Sequence, residues 1–433
     1  MTIDKPAPEA LLPKGVKDFL PAKAAKIEYL QRTLLDVFHH WGFRPVLPPG
    51  LENLDVLEQG LGVGLREKAF RFDDRQTGRL VAFPPDITPQ IARIVATRMQ
   101  NLPLPLRLCY NGRVLRHTEQ QVGKAREIFQ AGVELIGLPQ AEADAEMIAM
   151  AVESLQALGA PEFTIDIGQV EFVRGIMSEL EIESRDFSAL CEAISRKDTS
   201  GLMTLLNKLP IDDRKKEEIQ ALPRLFGGRE ILEQAAKVAR APVAKQALDN
   251  LADVLQVLET YQVDSCVTFD LGEIRELDYH TGITFQGFLP GVGRAVCSGG
   301  RYDNLTARYG RPLAATGFAF DLLNLLFALE KELDGPAART TDVLLFQQGA
   351  DKQQAQKLAS TLRKQGISTA RDTYPRGLEE SLSYARKMAY HHVMIIGEQP
   401  DKVRLIQVCN GREETISIVE IETGRFRLPT HRS

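Results

Sequence analysis

RLCYNGRVLRHTEQQVGKAREIFQAGVELIG, residues 107–137, decides how the rest of the chain is read. Residues 107–116 and 126–136 are short runs rich in apolar and β-branched side chains, the pattern of strands. The polar stretch HTEQQVGKA between them breaks both runs. Together they predict an antiparallel hairpin with a long basic loop. Arg116, Arg126, Gln130 and Glu134 are its long polar side chains, and the even spacing of Gln130 and Glu134 projects both from one sheet face. That face is either solvated or part of a site; alternation alone fits both.

Upstream, residues 79–99 (RLVAFPPDITPQIARIVATRM) read as a strand, a proline break and a helix. Thr88 stands where an N-cap belongs, directly before Pro89 at the first helical position. Asp86 then sits at the mouth of a helix N-terminus, placed to meet a ligand's ammonium. Further upstream, Ile27, Leu30, Leu34, Leu35 and Phe38 mark one face of a helix over residues 22–41. Gly42 ends it, and a short strand follows that stops at Pro48 and Pro49, which suits an edge or an interface.

Downstream, a helix is expected over residues 140–158 and a strand over 163–168. Residues 170–262 have helical periodicity and charge throughout and read as a helical insertion. The sheet resumes with VTFDLGEIRELDYHTGITFQGF (267–288) and CSGGRYDNL (297–305), for which a hairpin with a tight Gly-Gly turn is one reading. TGFAFDLLNLLFAL (316–329) is a strand feeding an apolar helix. The segment DGPAARTT marks a boundary, and strands alternate with helices beyond it, as in a small, partly parallel α/β unit.

The chain has 433 residues, enough for two or three domains. With 44% hydrophobic and 26% charged residues its composition is that of a globular protein. No apolar run approaches the ~20 residues of a membrane span, and residues 1–15 carry no secretory signal; a cytoplasmic location is expected. The five cysteines are scattered without CxxC spacing, and the histidines show no metal-binding pattern, so neither disulfides nor a metal site is expected. A net charge of −5 gives no bulk attraction to nucleic acid.

The hairpin resembles motif 2 of the class II aminoacyl-tRNA synthetases in its histidyl form, where an arginine-bearing strand and a Gln-x-x-x-Glu strand hold ATP and histidine. Residues 22–52 resemble motif 1, the dimer-forming element, and 84–88 resemble the segment that binds the α-amino group. Asp86 is one methylene shorter than the glutamate usual there. Arg275-Glu276-Leu277-Asp278-Tyr279-His280 and Gly299-Gly300-Arg301-Tyr302-Asp303 resemble the two histidyl signatures in their proper order. The resemblance implies an α+β fold: a class II antiparallel sheet with flanking helices and a helical insertion at about 170–262 (residues 1–333), then a small α/β domain like the anticodon-binding domain (342–433).

The resemblance also implies a histidine site made by Asp86 and Thr88 at the ammonium, Gln130 and Glu134 at the ammonium and imidazole, Arg275 at the carboxylate, and Arg116, Tyr279 and His280. His280 replaces a tyrosine that touches the imidazole. The ATP half departs from the pattern. Thr118 stands for a glutamate, Ile128 for the phenylalanine that stacks on adenine, and Asn324 for the arginine that grips the γ-phosphate. Losing one such group typically costs ~10² to 10³ in rate. A chain that keeps histidine recognition and drops ATP chemistry is similar to the regulatory subunits of ATP phosphoribosyltransferase, and the wording around residues 86–99 and 107–114 is closer to these than to the synthetases. This implies a non-catalytic, cofactor-free histidine sensor. It would pair, on a homodimeric core, with a short catalytic subunit in a hetero-oligomer as large as a hetero-octamer, switching it on and conveying feedback inhibition. The alternatives are a divergent histidyl-tRNA synthetase and a scaffold without a ligand.

Overall fold

The computed structural model describes residues 12–117, 125–178, 180, 182–274, 279–334, 341–349 and 352–429. Thr118, Arg275, Leu277 and Asp278 lie outside them. The chain divides into two compact units, Met1–Ala337 and Ala338–Ser433.

The first unit begins with α1 (Pro21–His40), which has proline in its first turn, then β1 (Arg44–Pro45), β2 (Glu52–Asn53), α2 (Leu54–Gly60), α3 (Val63–Arg66), β3 (Phe70–Asp73), β4 (Leu80–Phe83) and α4 (Thr88–Arg98). The hairpin is β5 (Leu106–Leu115) and β6 (Glu127–Ile136), followed by α5 (Ala141–Ala157) and β7 (Thr164–Gln169). The insertion contains α6 (Val170–Met177), α7 (Ser184–Ser195), α8 (Thr199–Leu206), α9 (Asp213–Ala221), β8 (Phe226–Gly227), α10 (Glu230–Val238) and α11 (Pro242–Tyr261). β9 (Val267–Asp270), β10 (Ile283–Phe288), β11 (Cys297–Arg301), β12 (Ala315–Asp321) and α12 (Leu322–Ala328) complete the unit.

Nine strands form one sheet in the order β1-β5-β6-β12-β11-β10-β7-β9-β8. The neighbours from β5 through β7 are all antiparallel, while β1 joins β5 and β9 joins β7 in parallel. β6 is central and buried on both faces from Phe129 to Ile136. Its alternation therefore marks core on one side and a covered site on the other.

One expectation changes, and one alternative reading drops out. The apolar face of α1 (Ile27, Leu30, Leu34, Val37, Phe38) packs into the chain's own core with α5 residues such as Met147 and Leu155. Each such side chain contributes roughly 1.5–3 kcal/mol on burial, so this face is not held back for a partner. Gly299 and Gly300 lie inside β11, between β10 and β12, and not in a turn. The helical insertion joins the main core: Phe172, Leu190, Ile194 and Leu251 share it with Val133, Leu135 and Phe318. Its strand β8 pairs with β9 as the last strand of the sheet.

The second unit contains β13 (Thr341–Gln347), α13 (Lys352–Lys364), β14 (Thr369–Arg371), α14 (Leu378–Lys387), β15 (Tyr390–Gln399), β16 (Lys402–Gln407), β17 (Glu413–Ser417) and α15 (Ile418–Glu422). Its sheet runs β14-β13-β15-β16-β17, parallel across the first three strands and antiparallel beyond. Val343, Leu345, Leu358, Leu362 and Ile421 form its own core.

Candidate functional site

Among the described residues of the first unit, two cavities bear on the expected site. The smaller, about 180 Å³, is lined by Asp86, Thr88, Arg116, Gln130, Tyr279 and His280, together with Asp166, Asp270, Glu273, Thr284, Ser298 and Tyr302. Six of the eight residues expected to bind histidine thus meet in one place. Arg275 falls outside the described residues, and Glu134 sits one layer beneath.

Asp86 is the hub of one end. Its Oδ1 accepts from its neighbour's amide Ile87 N at 3.0 Å and from Gln130 Nε2 at 3.1 Å, and Arg116 Nη2 lies 3.9 Å away. Arg116 Nε donates to the Pro85 carbonyl at 2.7 Å, which ties β5 to the proline turn. Gln130 is buried, and its Oε1 has no hydrogen-bond partner. A buried acceptor left open in this way costs free energy until a donor arrives.

Thr88 does not cap α4. The helix starts at Thr88 itself, the cap position is Ile87, and no side chain closes it. Thr88 Oγ1 instead lies 3.5 Å from the Tyr110 hydroxyl. The proline preference that suggested the cap is satisfied one position later, with Pro89 in the first turn.

Glu134 is 1% exposed. Tyr110 donates to its Oε1 at 3.3 Å and Tyr302 donates to its Oε2. Burial first, and then the Asp86 charge, raise its carboxyl pKa well above the usual range, against hydrogen bonds from Thr88 and Tyr110 that lower it. Gly317 on β12 faces it so closely that a Cβ would meet the carboxylate. Tyr302, which the GGRYD signature carries, therefore anchors a site residue. Arg301 is structural: its Nε donates to Asp144 at 2.9 Å, and its Nη atoms donate to the carbonyls of Leu138 and Gln140.

At the other end His280 Nδ1 is 3.2 Å from the Arg301 carbonyl, and the Tyr279 ring lies 5.1 Å from His280 and 5.6 Å from Tyr302. Asp166, Asp270 and Glu273 form an acidic wall that sequence reasoning missed; one aspartate in the alternating strand FTIDIG carries no signal of its own. Burial, then the Asp270 charge, pushes the Asp166 carboxyl up to about 6, although Thr268 donates to it at 3.1 Å.

The larger cavity, about 1060 Å³, lies on the other side of Arg116, which lines both. Lys17, Lys68, His117, Ile128, Asn324 and Phe327 are among its other walls. Ile128 presents an aliphatic face, and Asn324 Nδ2 is committed to the Ala295 carbonyl at 2.9 Å. Among the described residues, no group of three or more potential ligands could hold a metal ion, and no helix is long and apolar enough to cross a membrane.

The sequence profile of the histidyl-tRNA synthetase family matches residues 15–325. Over 421 residues, 97% of this chain and 98% of the relative, the sequence is 62% identical to the ATP phosphoribosyltransferase regulatory subunit of Syntrophotalea carbinolica. The chain belongs to the family of ATP phosphoribosyltransferase regulatory subunits. The Geobacter sulfurreducens regulatory subunit is 53% identical over 97% of each chain. Among solved structures, an ATP phosphoribosyltransferase regulatory subunit/histidyl-tRNA synthetase from Bacillus halodurans superposes with a TM-score of 0.78 at 27% identity, covering 90% of this chain and 99% of the other. Histidyl-tRNA synthetase from Nostoc, at 21% identity and a TM-score of 0.79 over 96% and 99% of the two chains, shows the shared fold. In this family member the class II sheet thus carries a polar cavity beside a larger one, with Arg116 between them.

Proposed function

We propose that this regulatory subunit binds L-histidine in the smaller cavity and conveys its presence to a short catalytic ATP phosphoribosyltransferase subunit. The two assemble as a hetero-oligomer on a homodimeric core, and the catalytic chemistry belongs to the partner. The observation that carries the reading is the contrast between the two cavities. Around the smaller one, Asp86, Thr88 and Gln130 offer an ammonium group a carboxylate, a hydroxyl and an open acceptor, Gln130 Oε1. Arg116 offers the ligand carboxylate a cation, and Tyr279, His280 and Tyr302 give the imidazole a half-polar aromatic surface. Buried polar groups that stay unpaired without the matching ligand give strong selectivity.

Around the larger cavity the groups needed for adenylate formation are replaced. Ile128 cannot stack on adenine as an aromatic ring does. Asn324 is neutral and already donates to a backbone carbonyl, so it does not stabilise charge developing on a phosphate. The chain is therefore expected to bind histidine calorimetrically while giving no histidine-dependent pyrophosphate exchange and no charging of tRNA. Exchange at the rate of an active synthetase would replace the regulatory reading with the synthetase one. Histidine inhibition of the reconstituted complex tests the coupling, whose free energy is typically ~1–3 kcal/mol.

A further inference from the structure

One wall of the smaller cavity is held in place from outside the sheet. Asp270 and Glu273 line the cavity at the end of β9, and His280 lines it just before β10. Both ends of this wall meet cations of the helical insertion. Lys197 follows α7 with a left-handed backbone (φ 57°), and its Nζ reaches Asp270 Oδ1 at 2.5 Å. The same oxygen accepts from Gly272 N at 3.0 Å. At the other end Arg174 on α6 donates from Nη2 to the His280 carbonyl at 3.1 Å, while its Nη1 pairs with Glu171.

The insertion backbone follows the same wall. Leu271 N donates to the Leu225 carbonyl at 2.9 Å, and β8 pairs with β9. The Leu222 carbonyl sits so close to Gly272 that a Cβ there would collide with it. The Lys197 ammonium lies 5.4 Å from the centre of the Phe226 ring, so the lysine is braced by the element it helps to dock. Of these groups, only Asp270, Glu273 and His280 line the cavity.

We infer that Lys197 and Arg174 are positioning residues of the ligand pocket: the helical insertion fixes the wall formed by Asp270 and His280, and occupancy of the pocket is transmitted to the insertion. The inference rests on the histidine reading above. If the insertion sets the wall that the ligand meets, linkage requires that the ligand in turn bias the insertion by the same factor. The charge-assisted bonds at Asp270 and the His280 carbonyl are where that bias is exchanged.

The test uses the full chain and L-histidine, with calorimetry on wild type, Lys197→Met, Lys197→Arg and Arg174→Met. Arg229→Met, which breaks the surface pair with Glu259 elsewhere on the insertion, is the control. Lys197→Met and Arg174→Met are expected to weaken histidine binding about tenfold, within the usual range of coupling between sites. Lys197→Arg should recover most of the affinity, and Arg229→Met should stay within about twofold of wild type. Amide exchange gives the reciprocal readout: histidine should protect Leu271 and residues 226–227 in wild type, and protect them less in Lys197→Met. A purely structural role would lower thermal stability and leave affinity and ligand-dependent protection unchanged, which would overturn the inference. Equal loss in the Arg229→Met control would do the same. Absence of histidine binding by wild type overturns the ligand reading and removes the inference with it, whereas wild-type binding with unaltered variants overturns the inference alone.

Discussion

Asp86 and Glu134 are two carboxyls with different tasks. Asp86 lies on the cavity surface among N–H donors, whereas Glu134 lies behind it and holds the hydroxyls of Tyr110 and Tyr302. On the proposed histidine site, replacing Asp86 by Asn removes the charge assigned to the ammonium and should weaken histidine binding by about tenfold or more, since hydrogen bonds to a charged group contribute roughly 1.5–3 kcal/mol. Glu134→Gln should weaken it less, because its carboxyl pKa is already raised and its effect passes through Tyr302; calorimetry on both variants checks the order. Asp166 gives a prediction in pH. Its folded pKa of about 6 lies above the ordinary 3.8, so the folded state binds the extra proton between these values. Its contribution is favourable at low pH and is lost as pH rises through about 6. Asp166→Asn should therefore raise the thermal midpoint relative to wild type above pH 6, by on the order of 1 kcal/mol of stability, with the gain vanishing near pH 4. Melting curves across that range measure it. Of this site, Asp86, Gln130 and Tyr279 were legible because a turn, a strand register and a signature fix them locally. Asp166 was not, because only the sheet order, which places β7 between β10 and β9, brings it to the cavity.

Among the elements, the β5–β6 hairpin emerged where the sequence placed it, since its apolar runs and interrupting loop are local signals. The pairing of β8 with β9 was illegible: Phe226–Gly227 is two residues long, too short for any periodicity, and long-range docking alone makes it a strand. The edge at the other end of the sheet bears on assembly. β1 closes that edge, and Leu47 just beyond it is 85% exposed, with Leu51 also exposed. With the α1 face already buried, this edge is the part of residues 22–52 that still needs covering. Wild type is expected to sediment as a dimer at micromolar concentration, and Leu47→Glu to shift it toward monomer. A monomeric wild type would remove the reason for placing a two-fold axis there.

For the whole molecule, the two units have separate cores. All the described residues around the smaller cavity belong to the first unit. A chain ending at Asp334 should therefore keep histidine affinity within about twofold of the full chain, because sites that share no partners behave independently. Calorimetry on the shortened chain measures this; a complete loss would place part of the binding energy in the second unit. Arg116 carries a different lesson. Its guanidinium props the Pro85 carbonyl and stands beside Asp86, so the turn would lose its support without it, whether or not a nucleotide ever reaches the larger cavity. An arginine at this place is thus a poor marker for sorting ligases from their non-ligating cousins. On the function proposed above, the discriminating letters are Ile128 and Asn324, and a genome survey that scored the motif 2 arginine as proof of tRNA charging would misfile chains like this one.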